Sequence, residues 1–341
     1  MNIEIKQGIA TINQSEWISF LSNHPKKSVF QTPQMYDCYE RTPSHEPCLF
    51  SAYVNSKLVG VLLVDIIHEP GFLKKNFSTR AIIQGGPVIK DDNPQILKAM
   101  LSACAEQIGK KVIYTQIRNQ FEQLSQCDIY RELGYKFESH LNYLIQLDNE
   151  ASIWSRIGKG RISQIKKAKG NDLIVHVYDH STISDELIRQ GYSIIEEVYN
   201  RANLPLVDIC QIFAANRNNI LIMFMITTKE GDVAGCRFAL AYGKSLYGWY
   251  AGSRSKYYSL YPNSLLIWET LRWGCAEGYE VFDYGGAGSP NKNYGVRGFK
   301  SQLGGELVNF GRYEKVNNLF KMSIGKTGFY IYKALFKFKK K

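Results

Sequence analysis

The chain has 341 residues, 45% hydrophobic and 21% charged, which excludes disordered and fibrous proteins and leaves room for two domains. A formal charge of +11 attracts polyanions, whether nucleic acid, nucleotide-linked sugars or an anionic membrane face, without choosing among them. The seven cysteines, Cys38, Cys48, Cys104, Cys127, Cys210, Cys236 and Cys275, form no C-x-x-C pair, so a reducing compartment and no metal site are expected.

MNIEIKQGIATIN alternates apolar and polar residues and lacks the apolar core of a signal peptide, so a cytoplasmic location is expected. From Cys48 to Glu69, LFSAYV and LVGVLLVDII flank Asn55-Ser56 and predict a β-hairpin. A strand over 81–89 follows. Asn93-Pro94 supplies an N-cap and a first-turn proline for a helix over 95–108, and KVIYTQI reads as a buried strand.

Two helical stretches, 153–169 and 184–202, surround the strand DLIVHVYD. The order of hairpin, strand, helix and strand then repeats. ILIMFMITT and VAGCRFALAY flank Glu230-Gly231-Asp232, followed by LYGWYAG, a helix over 262–277 and a strand over 280–284. Hairpins force antiparallel pairing, so the fold class expected is α+β, two tandem units with mixed sheets. The domains are expected at 1–150 and 151–315, with a basic amphipathic helix over 316–341 packing on the first. That helix, interleaving aromatic residues with lysines, either docks on the core or lies on anionic lipid at the inner membrane face. No stretch is long and apolar enough to span a bilayer.

The stretch EVFDYGGAGSPNKNYGVRGFKSQLGGELVNFGRY places a strand ending at Asp283 before a glycine-rich loop that delivers Arg297, Phe299 and Lys300. Two cations beside an aromatic face suit a phosphate or a developing oxyanion; the same residues also fit a solvated turn with Phe299 plugging the core. Asp283 either orders the loop through backbone amides or accepts a proton. Residues 155–170 carry Arg161, Lys166 and Lys167 among six cations and no acid, a patch for tRNA phosphates or a diphosphate, or a solvated helix face with Ile162, Ile165 and Ala168 turned inward.

Taken together, FQTPQMYDCYER, Gly-Gly-Pro-Val at 85–88, Trp154 with IKKAKG, YNRANLP, WYAGS, PNSLLIWETLRWGCAEG, and FDYGG followed by GFKSQLGGE resemble the FemAB family in their order. That family comprises peptidoglycan interpeptide-bridge aminoacyltransferases built from two acetyltransferase-like (GNAT-like) domains, and the chain is similar to its armless two-domain type. The resemblance implies no cofactor, aminoacyl-tRNA as donor, a lipid- or nucleotide-linked muropeptide precursor as acceptor, and a monomer. It maps a catalytic Phe-Lys pair onto Phe299 and Lys300, acceptor-gripping cations onto Arg41 and Arg201, and a binding tyrosine onto Tyr250. Where the family often has an acid after Gly-Pro-Val-Ile, this chain has Lys90, with Asp91 one place later.

An acyl-coenzyme A-dependent N-acyltransferase acting on an amino sugar or an envelope polysaccharide or lipid precursor is the alternative. Against it, SRSKYYSLY before the helix at 262 has no glycine to cradle a pyrophosphate. A non-catalytic RNA- or membrane-binding scaffold is the third reading. The six histidines show no ligand spacing and no G-x-S-x-G is present, which argues against metal and serine hydrolases.

Overall fold

The structure, a computed structural model, describes residues 2–69, 78–123 and 126–324. In chain order the elements are β1 (Glu4–Gln7), α1 (Gln14–Ser22), α2 (Pro33–Glu40), β2 (His45–Val54), β3 (Lys57–Ile67), β4 (Arg80–Gly85), β5 (Val88–Ile89), α3 (Pro94–Ile108), β6 (Tyr114–Asn119), α4 (Cys127–Glu132) and β7 (Lys136–Glu138). There follow β8 (Leu141–Gln146), α5 (Glu150–Arg156), α6 (Lys159–Gly170), β9 (Ile174–Tyr178), α7 (Asp185–Ala202), α8 (Ile209–Arg217), β10 (Leu221–Thr227), β11 (Val233–Tyr242), β12 (Ser245–Ser253), α9 (Pro262–Ala276), β13 (Val281–Gly288), α10 (Gly295–Ser301), β14 (Glu306–Val308) and β15 (Arg312–Val316).

The chain divides into two compact units, Met1–Ser139 with Phe310–Lys341, and His140–Asn309. Each is built on one mixed sheet. The first has the order β1-β2-β3-β4-β6-β15-β7 with β5 on β3, and the second β14-β8-β13-β12-β11-β10-β9. The unit boundaries differ from 150/151 and 315/316 because of pairing. Residues 141–146 form an antiparallel ladder with β13 of the second sheet, and Arg312–Val316 pairs with β6 of the first. Tyr313 of that returning strand is buried and stacks on Tyr130 at 4.0 Å, completing the first core around Phe50, Leu62, Leu97 and Met100. The expected C-terminal helix lies mostly outside the described residues.

Local signals account for most elements. Asn55 and Ser56 adopt φ of 49° and 60°, the left-handed pair that a tight hairpin between β2 and β3 requires. Asn93 caps α3 by accepting the Gln95 and Ile96 N–H groups, and Ser184 caps α7 through the Leu187 N–H. The helical stretch at 153–169 is two helices, separated at Ile157-Gly158, where the Gly158 N–H donates to the Gln302 carbonyl at 2.9 Å.

In the first sheet, β3 and β4 pair only over Asp65–Ile67 with Arg80–Ile82. Beyond that the fully buried Gln31 bridges them, its amide nitrogen donating to the Leu63 and Gln84 carbonyls at 3.1 and 2.8 Å and its oxygen accepting the Leu63 N–H at 2.7 Å. Gln31→Leu is expected to cost about 2–4 kcal/mol, because it leaves three buried backbone groups without partners. A urea titration of the full chain checks this; an unchanged midpoint would show that the bridge is dispensable.

Candidate functional site

The candidate site lies where two parallel strands of the second unit part. β12 and β13 pair over only three residues, Ser245↔Val281, Leu246↔Phe282 and Tyr247↔Asp283. The corresponding parallel strands of the first unit, β4 and β6, stay paired over five, Ala81↔Thr115 to Gly85↔Asn119. Past Tyr247 no further β12–β13 pair forms among the described residues. Glycine produces the divergence, because Gly285 and Gly288 sit at φ of 70° and 76° and the register with β8 shifts twice between Asp283 and Gly288. The glycines read as a loop from sequence are thus the bulged end of β13, and the connecting loop begins only after Gly288.

Lys300 is carried on the short helix α10 and is buried, 7% exposed. Its ammonium donates to the carbonyls of Tyr284, Gly285 (3.2 Å) and Gly286 (3.0 Å), the three residues just past the parting, and lies 4.5 Å from the Tyr284 ring centroid. All three ammonium protons are thereby used. Burial lowers its pKa to about 8, with Arg237 pushing the same way and Asp283 opposing. Lys300, which the sequence places after a glycine-rich loop as a cation suited to an oxyanion, is thus on a helix and packed into the strand edge.

The neighbouring candidates are likewise committed to backbone. Arg297 donates through Nε to the Ala287 carbonyl at 3.0 Å and through its terminal nitrogens to the carbonyls of Ser289, Pro290 and Lys292. It fastens the loop and does not stand ready for a phosphate. Asp283 is buried and accepts the Gly285 N–H at 2.7 Å, the loop-ordering role that sequence offered beside proton acceptance. Phe299 packs against the core with the Arg161 guanidinium 3.8 Å above its ring.

Arg161 is consequently not part of a surface patch. It shares the inward stripe of α6 with Ile165 and Ala168, as spacing by four and seven residues dictates, and is 6% exposed. Its guanidinium donates to Gln164 (2.6 Å), Ser264 at the start of α9 (2.8 Å) and Gln302 (3.1 Å). Lys166 and Lys167 face solvent on the opposite side.

The remaining candidates are dispersed. Arg201, in the last turn of α7, donates to the Tyr258 hydroxyl, stacks on that ring at 5.4 Å and pairs with Glu197 at 3.6 Å. Tyr250, on β12, is half-buried and packs edge-on against Tyr199 at 5.6 Å. Arg41 belongs to the first unit, where it is exposed and paired with Asp37 at 2.7 Å. That unit has a cavity of 530 Å³ lined by Lys26, Lys57 and Lys90 against Glu16, Asp91 and Asp92, a balanced set of charges.

Sequence reading missed Arg237. It lies on β11, 4% exposed, and reaches the parting point, where it donates to the Tyr284 hydroxyl at 3.3 Å. A charged residue inside VAGCRFALAY, a strand otherwise apolar, small or aromatic, was the available signal. Among the described residues no group of histidine, cysteine and acidic side chains is placed to hold a metal ion, and no helix is long and apolar enough to cross a membrane.

Comparison with known proteins agrees with this architecture. Residues 207–299 match the acetyltransferase (GNAT) domain family. No curated protein sequence matches the chain. Among solved structures, the fold is similar to that of FemX over 91% of this chain and 97% of that one, with a TM-score of 0.71 at 13% identity. It is similar to L-PGS from Bacillus licheniformis (TM-score 0.59, 14% identity, 92% and 96% covered) and to a tandem GNAT protein from the clavulanic acid biosynthesis pathway (0.62, 9%, 93% and 99%). The chain has the FemX-like twin GNAT fold that its sequence led one to expect.

Proposed function

We propose that this twin GNAT-type chain is an aminoacyltransferase that moves an amino acid from aminoacyl-tRNA to an amine of a muropeptide precursor, at the cytoplasmic side of the cell envelope. The observation that carries the reading is the parting of β12 and β13 beside buried cations, which opens a split at which the carbonyl of an extended acyl donor can lie. The ordered FemAB motifs and the likeness to FemX support the choice of donor and acceptor.

The chemistry needs little from the protein beyond placement and field. The amine lone pair forms the new N–C bond while the carbonyl pair moves onto oxygen. The pair then returns and expels the tRNA ribose oxygen, which ends with the proton the amine gives up. Lys300 contributes positive charge and holds the β13 edge rigid, while Arg297 and Asp283 keep the glycine bulge in shape. Phe299, fixed by Arg161, lines the same end. Arg201 with Tyr258 and the exposed Lys166 and Lys167 offer contacts for acceptor and tRNA phosphates, and Tyr250 offers a further contact for substrate within the same unit.

The GNAT family match supports acyl-coenzyme A as a second donor, so the test offers both. The purified chain is incubated with charged tRNA or acyl-coenzyme A and with lipid- and nucleotide-linked muropeptides, and products are weighed by mass spectrometry. A gain of one aminoacyl residue, dependent on charged tRNA, is expected. Transfer from coenzyme A alone would replace this reading with the N-acyltransferase.

A further inference from the structure

Arg237 carries an inference of its own. Its guanidinium crosses from β11 over Gly248 of β12 toward β13; a Cβ at position 248 would lie 3.3 Å from Nη1 and 2.9 Å from the Phe282 ring. It ends 5.1 Å from the Tyr284 ring centroid and 5.7 Å from that of Phe282, so Tyr284 is flanked by this cation and by Lys300. Among the described residues the five N–H donors of Arg237 make one hydrogen bond, the 3.3 Å contact to the Tyr284 hydroxyl, and the covered Nε has no acceptor. No carboxylate among the described residues lies within ion-pair distance of it. Arg161, buried to the same extent and likewise without an acceptor at Nε, is by contrast held through its terminal nitrogens by three side-chain oxygens.

An unpaired guanidinium inside a sheet is costly unless something is gained from it. Stability does not supply the gain, since an apolar residue of similar volume in this aromatic surround would cost nothing in desolvation. The position does: Tyr284 is the first β13 residue beyond the last β12–β13 pair, where a donor's carbonyl would lie. Lys300 cannot serve there as a hydrogen-bond donor, because its three protons are taken by carbonyls.

We propose that the Arg237 guanidinium is the group that hydrogen-bonds the carbonyl oxygen of the transferred acyl group and stabilises it as it becomes an oxyanion. This rests on the acyl-transfer reading for its reaction, but not for its test. When the amine forms the new N–C bond, the carbonyl electron pair moves onto the oxygen facing Arg237; when the pair returns, the C–O bond breaks and the donor's leaving oxygen departs with the proton the amine gives up, the guanidinium remaining protonated throughout.

A small carboxylate presents the same charged oxygen, so binding can be measured without turnover. Sodium acetate and sodium N-acetylalaninate, against sodium chloride at equal ionic strength, are expected to raise the unfolding midpoint of the wild-type chain by about 2–4 °C at saturation. Arg237→Met should abolish the shift and Arg237→Lys reduce it, while the ligand-free midpoint of Arg237→Met stays at or above wild type. If both variants unfold well below wild type without ligand, or if Arg237→Met responds to carboxylate as wild type does, Arg237 is a structural strut and the proposal is overturned. In the transfer assay, Arg237→Met should lower kcat and kcat/KM by the same factor, roughly 10²–10³; an effect on KM alone would also overturn it. A wild type that binds carboxylate but transfers nothing would reject the functional reading and leave the oxyanion receptor standing.

Discussion

Lys300→Met is expected to slow aminoacyl transfer by roughly 10²-fold or more while changing stability at neutral pH far less. Two terms oppose each other in the fold. Removing the ammonium leaves the carbonyls of Tyr284, Gly285 and Gly286 without their donor, at about 1–3 kcal/mol for each that water cannot reach. It also abolishes the cost of burying a charge, which is what lowers the pKa to about 8. In catalysis nothing offsets the loss, because the positive field at the strand parting and the rigidity of the β13 edge disappear together. Steady-state kinetics with chemical denaturation of the same protein separates the two effects; unchanged turnover would remove Lys300 from the mechanism.

The same residue gives opposite pH trends for activity and stability. Its folded pKa, about 8, lies below the ordinary 10.5, so between these values the unfolded chain holds the proton that the folded one has released. Stability should therefore rise as pH climbs from about 8 toward 10.5, by about 3 kcal/mol for a shift of this size, and Lys300→Met should lack the rise. Transfer, for which we propose that the charged form is needed, should fall over the same window. A transfer rate that climbs through pH 8 to 10 in wild type, after correction for the acceptor amine's own titration, would contradict the assigned role.

Gly304→Ala is expected to destabilise the second unit by about 3–4 kcal/mol and to abolish most transfer with it. Gly304 has φ of 71°, and a Cβ there would come within 2.5 Å of the Arg156 carbonyl oxygen and closer still to the Arg156 Cβ. Backbone cannot move aside as a flexible side chain would. The strap from Lys300 to Gly304 is tied to the α5–α6 junction through Gly158 N–H to Gln302 carbonyl and Arg161 to Gln302, so displacing it displaces Lys300 and Phe299 as well. Urea unfolding reads the first effect and the transfer assay the second. A variant with wild-type midpoint and rate would show that the strap yields.

Much of the fold was legible because it is written in short-range chemistry. The Asn55-Ser56 hairpin turn, the Asn93 cap and the continuous apolar run of β3 each act within a few residues, and each appears where the sequence placed it. The exchange of end strands was not legible. Residues 141–146 and Arg312–Val316 each join the sheet of the other half of the chain, and nothing within either segment says which edge it will meet.

The site divides along the same line. By itself the sequence determined the twin α+β plan, the glycine-rich segment after Asp283, and the group Arg297, Phe299 and Lys300 that follows it, since residue type and spacing are properties of the chain. Only the tertiary structure decided what those groups do: Lys300 spends its donors on carbonyls of the bulged strand and Arg297 on that strand and the loop after it, Arg161 turns inward to hold Phe299, and Arg237 arrives from another strand with one hydrogen bond, to the Tyr284 hydroxyl. The physical reason is that a donor's availability depends on which acceptors the fold brings within about 3 Å of it: the bulge and loop turn nearby carbonyls back onto Arg297 and Lys300, while Ser264 and Gln302 reach Arg161 from distant parts of the chain.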